Sequence, residues 1–181
     1  MTTTPDDAIP TPSGRILADL RAVAVEPSLS TTSWFYAADR QVALLQPMLP
    51  IPATRLPAHL ADLIPSILVE YIDNLPVPGT VFWGNDHWHI HVRAADPAEA
   101  QAFTVLHELK HIIDHPLRRQ PNLPDNTDWE ALADYFATQV LAQETRSDHD
   151  SATKNKRANE NIPADPRHSP SQPTAKTGGA R

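Results

Sequence analysis

The chain has 181 residues, no cysteine and a formal charge of −7, which allows one domain with a core and excludes both disulfides and thiolate metal sites. Residues 144–181 hold seven Lys and Arg against five Asp and Glu, so the charge divides into −9 before residue 144 and +2 after it. An acidic folded part repels phosphate, so no direct nucleic-acid binding is expected.

Every aromatic residue lies before residue 137, and Ile162 is the only large aliphatic after Glu144. Such a segment buries too little apolar surface to offset its ordering entropy. The expected organisation is therefore a tail at 1–14, one domain at 15–143 and a second tail at 144–181. No apolar run is long enough for a membrane span and no h-region is visible, which points to a cytoplasmic protein.

In chain order, "SGRILADLRAVAV" sets Ile16, Leu17, Leu20 and Val23 on one helical stripe, and "TTSWFYAADRQVALLQ" predicts a second helix that stops at Pro47. Four prolines make "PMLPIPATRLP" a connector. Helical spacing resumes from Leu60 to Ile64 and Pro65 interrupts it, while Ile67 to Ile72 fits either a helix or a strand. "TVFW" and "WHIHVR" around "GNDH" then read as a hairpin, with Trp88, Ile90 and Val92 alternating with His89, His91 and Arg93. His89 and His91 share a face that either meets solvent or lines a cleft, and "WHIHVR" is the expected edge strand.

Asp96 as cap, Pro97 at the first position and Glu99 closing a capping box predict a helix over 97–115. Its residues Ala102, Val105, Leu106, Leu109, Ile112 and Ile113 fall within a sector about 120° wide. His107 and His111 point almost opposite, about 40° apart and one turn apart along the axis, so two imidazoles converge on one point. Glu108 stands beside them. This H-E-x-x-H spacing suits a zinc hydrolase: neutral imidazoles hold the ion, the ion acidifies a water and polarises the scissile carbonyl, and the glutamate moves the proton to the leaving amine.

A third protein ligand is needed. His115 lies about 12 Å along the helix from His107, too far to share an ion on a straight helix. After "HPLRRQPNLPDN", the segment "TDWEALADYFATQVLAQ" predicts another helix, with Thr127 and Glu130 as a capping box. Glu130 and Asp134 sit at the edge of its apolar sector. Glu130 is either a cap residue or the third ligand; Asp134 is either a surface charge or the acceptor that fixes a histidine tautomer.

Together, "FTVLHELKHIIDH" and "EALADYFA" resemble the ImmA/IrrE metallo-endopeptidases over roughly residues 77–141. The resemblance maps the histidine-glutamate motif onto His107, Glu108 and His111, its trailing histidine onto His115, and E-x-x-A-[N/D]-x-F-A onto Glu130, Ala133, Asp134, Phe136 and Ala137. Lys110 stands where the family usually has glycine. The fold implied is a small α+β, zincin-like domain with a short antiparallel sheet packed on the active-site helix and additional helices. Also implied are one Zn²⁺ per chain, Glu130 as third ligand as in gluzincins, and a protein substrate, a helix-turn-helix repressor in a mobile-element or stress-response setting. Ligand type leaves Mn²⁺ or Fe²⁺ open. The oxyanion contact is open among His89, His91, His115 and Tyr135. The alternative function is a non-catalytic, metal-stabilised module that binds a transcription regulator.

Overall fold

The computed structural model describes residues 15–23, 31–49, 52–119 and 128–142. The expected tails at 1–14 and 144–181 lie outside these residues, as do most of the loop before Asp128 and the proposed cap Thr127. The helices are α1 (Arg15–Val23), α2 (Thr31–Leu45), α3 (Leu56–Leu63), α4 (Ala98–Arg118) and α5 (129–142); the strands are β1 (Ile67–Ile72), β2 (Gly79–Gly84) and β3 (His87–Arg93).

The proline-rich connector is not wholly irregular. It forms two short 3₁₀ turns, Gln46–Met48 and Ala53–Arg55, and its Pro57 enters the first turn of α3, where a missing N–H costs nothing. Ile64, just before Pro65, leaves the helical region with φ −126° and ψ 84°, as a residue preceding proline tends to. The ambiguous Ile67–Ile72 is a strand.

β2 and β3 form the expected antiparallel hairpin, closed by Asn85 and Asp86 with φ of 49° and 62°. Two consecutive left-handed residues give the turn whose twist suits a two-residue hairpin. β1 joins on the other side of β3 and runs parallel to it, so the strand order is β1-β3-β2 and the sheet is mixed rather than purely antiparallel. "WHIHVR" is accordingly the central strand, hydrogen-bonded on both sides, and not an edge. Among the described residues the edges are β1 and β2.

Trp88, Ile90 and Val92 of β3 face α4 and are buried with Ile67, Val105, Leu106, Leu109, Ile112 and Ile113. The predicted apolar sector of α4 is fully enclosed. Phe136, Ala137 and Val140 of α5 join this core, while Trp34, Ala38, Leu117 and Leu132 form a second cluster between α2 and the ends of α4 and α5. The architecture is a small α+β, zincin-like domain.

α4 differs from expectation at both ends. Pro97 is the N-cap and no side chain caps the helix; Asp96 instead lies 3.6 Å from Arg93. At the other end α4 passes through Pro116 to Arg118. A proline there removes the N–H that would bond the Ile112 carbonyl. Arg21 of α1 supplies the substitute, its Nη2 donating to Ile112 O at 3.1 Å.

Candidate metal centre

The two histidines of α4 meet the carboxylates of α5. His107 Nδ1 donates to Asp134 Oδ1 at 2.9 Å, since a carboxylate can only accept. In the neutral ring this leaves a lone pair on His107 Nε2. That nitrogen lies 3.2 Å from Glu130 Oε2 and 3.1 Å from His111 Nε2, and His111 Nε2 is 3.3 Å from Glu130 Oε1. Burial pushes His111 below the ordinary imidazole pKa, favouring its neutral form.

Lone pairs converging this closely repel unless a proton or a cation lies among them. Ligand distances of about 2.0–2.1 Å around a tetrahedral zinc imply separations of about 3.3 Å between donor atoms. The donor set of His107, His111 and Glu130, with separations of 3.1–3.3 Å, fits such an ion.

α5 is able to offer Glu130 because another residue caps it. Asp128 Oδ1 accepts from the Ala131 N–H at 2.9 Å. Glu130 therefore has no capping task among the described residues, and its side chain is 71% exposed.

Glu108 borders the same cleft, a cavity of about 610 Å³ lined also by Pro78, Gly79, Phe103, Thr104, His107, Glu130 and Asp134. Its carboxyl is buried, and that burial raises its pKa, with the charge of Glu130 adding to the effect and His107 opposing it. Gly79 was not singled out in the sequence. A Cβ there would stand 2.3 Å from Thr104 Cγ2 and 3.2 Å from Glu108 Oε1, so only glycine lets β2 approach the helix this closely. The sequence signal was a glycine opening a strand, which on its own is indistinguishable from a turn residue.

None of the four candidate oxyanion contacts lines the cleft. His89 and His91 alternate with the buried residues of β3 and so face away from α4. His115 packs edge-on against Trp88 at 4.8 Å. The Tyr135 hydroxyl donates to Asp39 on α2 at 2.7 Å, with its ring edge-on to Phe35. Lys110, at the position where the resemblance leads one to expect a small residue, is buried and bonded to Asp114 at 2.7 Å.

The sequence model of the IrrE N-terminal-like domain, a peptidase family, matches residues 67–162. The chain belongs to that family. Neither the curated proteins nor the solved structures gave a match. Membership carries a metallopeptidase-type function and a protein substrate for this IrrE-like chain. Among its described residues, no helix is long and apolar enough to cross a membrane.

Proposed function

We propose that this IrrE-like chain is a zinc-dependent endopeptidase. His107, His111 and Glu130 hold the ion, Glu108 is the general base, and Asp134 fixes the tautomer of His107. The observation that carries this reading is a buried carboxyl, Glu108, in the same cleft as the convergent imidazole and carboxylate donors. A purely structural metal site has no use for that group.

A bound zinc-class ion would supply Lewis acidity, polarising the scissile carbonyl and acidifying a water. Glu108 takes a proton from water at its carboxylate and passes it to the departing amine; its raised pKa brings it closer to the range where a group can both accept and release a proton at neutral pH. Asp134 holds the proton of His107 on Nδ1 and so keeps Nε2 free as a donor atom.

Substrate binding in extended form along β2, an edge strand among the described residues, suits the geometry, because Pro78 and Gly79 border the cleft and β3 is paired on both sides. The substrate proposed on the family resemblance is a helix-turn-helix repressor.

The test combines metal content with cleavage of a candidate helix-turn-helix repressor. His111→Ala is expected to lose one equivalent of zinc together with cleavage. Glu108→Gln is expected to keep the zinc and lose cleavage by about 10²–10⁴-fold. A Glu108→Gln protein that cuts as fast as wild type overturns the mechanism. Tight repressor binding by the zinc-loaded wild type, with no product, would favour the non-catalytic binding module instead.

A further inference from the structure

The sheet face turned away from α4 carries a second constellation. Glu70 on β1 is in register with His91 on β3, and His89 is two residues earlier on the same face. Glu70 Oε2 lies 2.8 Å from His89 Nδ1 and 3.3 Å from His91 Nε2. Phe82 of β2 stacks on the His89 ring at 5.0 Å and 4°, and meets His91 edge-on at 4.9 Å. Both rings are therefore packed in place before any ligand arrives.

The tautomer of His89 carries the argument. Its Nε2 is 3.0 Å from the Gly84 carbonyl, which can only accept, so the hydrogen is on Nε2. In the neutral ring, Nδ1 then directs a lone pair at the carboxylate of Glu70, 2.8 Å away. Two acceptors so close need either an additional proton or a cation between them.

A backbone carbonyl on the far nitrogen is the arrangement that orients histidine ligands in metal sites. The 3.3 Å between His91 Nε2 and Glu70 Oε2 matches the roughly 3.3 Å expected between donors of a tetrahedral zinc-class ion, and all three ligand atoms lie within 4.8 Å of one another. Glu70 is 46% exposed and His89 13%, so the donors present a protected side and an open one.

We propose that Glu70, His89 and His91 form a second divalent metal site, selective for zinc-class ions, that fastens β1 to β3. β1 is an edge strand, and an ion bridging it to the central strand adds a cross-link that backbone hydrogen bonds alone do not supply. The site is separated from the His107 cluster by the thickness of the sheet and its core face, and does not depend on the peptidase reading.

Titration with Co²⁺, followed by its d–d absorption and by thermal melting, tests this. The wild type should bind two equivalents. His107→Ala/His111→Ala should still bind one and melt several degrees higher with Co²⁺ than without. Glu70→Gln, an isosteric change at an exposed position, should weaken that remaining site at least tenfold and abolish its melting shift, and His91→Ala should do the same. In an otherwise wild-type chain, Glu70→Gln should leave one equivalent bound. The proposal is overturned if the His107/His111 variant binds no Co²⁺, which would leave the triad as an imidazolium–carboxylate ion pair. It is equally overturned if the remaining binding is indifferent to Glu70→Gln and His91→Ala.

Discussion

Glu108 costs stability in the metal-free protein. Its folded-state pKa is raised, chiefly by burial, above the ordinary value of 4.5. The group's favourable contribution is thus complete below about pH 4.5 and is lost as pH rises through the raised value. Glu108→Gln should make metal-free protein more stable at pH 7, by about 0.5–2 kcal/mol, as is common when a functional group is traded for a neutral one. The gain should narrow as pH falls toward 4.5, which urea unfolding at the two pH values can measure. Lys110 and Asp114 present the opposite case. Burial pulls Lys110 down and Asp114 up, while their 2.7 Å contact opposes both shifts. Lys110→Met alone should cost about 3–5 kcal/mol by stranding a buried carboxylate, whereas Lys110→Met/Asp114→Leu should cost much less. A double-mutant cycle in denaturant reads the difference.

Among the elements, α4 was the most legible in sequence, because its buried sector and the four-residue spacing of His107 and His111 follow from one helical period. Its C-terminal end was not, because continuation through Pro116 rests on a donor from α1, remote in the chain. Arg21→Ala should cost about 1–3 kcal/mol through the bared Ile112 carbonyl. In a Pro116→Ala background, where a backbone N–H again reaches that carbonyl, the same change should cost less; chemical denaturation of the four proteins checks this. The sheet shows the complementary limit. Alternation in "WHIHVR" displayed the two faces of β3, but strand order depends on which strand arrives from elsewhere, and alternation is silent on that. His89 and His91 were therefore visible as a pair, while Glu70, their partner across the parallel ladder, was not.

At the scale of the molecule, the candidate metal centre joins two helices that the intervening loop separates in sequence, two donors coming from α4 and one from α5. If an ion occupies it, chelation should release α5 more than the sheet. Hydrogen exchange after treatment with a zinc chelator should accelerate in residues 129–142 and change little in the buried middle of α4. The loss in overall stability is expected to be about 4 kcal/mol when the free ion had stood at about 1,000 times its Kd. Melting in chelator and in excess zinc gives that figure directly.

The bond from Arg21 to Ile112 bears on where this protein begins as a folding unit. The family match opens at residue 67, yet α1 mends the proline break in the motif helix, Leu17 and Leu20 lie in the main core, and Trp34 and Ala38 wall the second cluster. A fragment cut to the matching residues would keep every candidate ligand of both metal sites and lose one side of the building that holds them. In this chain the family match and the scaffold around it do not share a boundary: the helices ahead of residue 67 wall the same core that carries the motif helix.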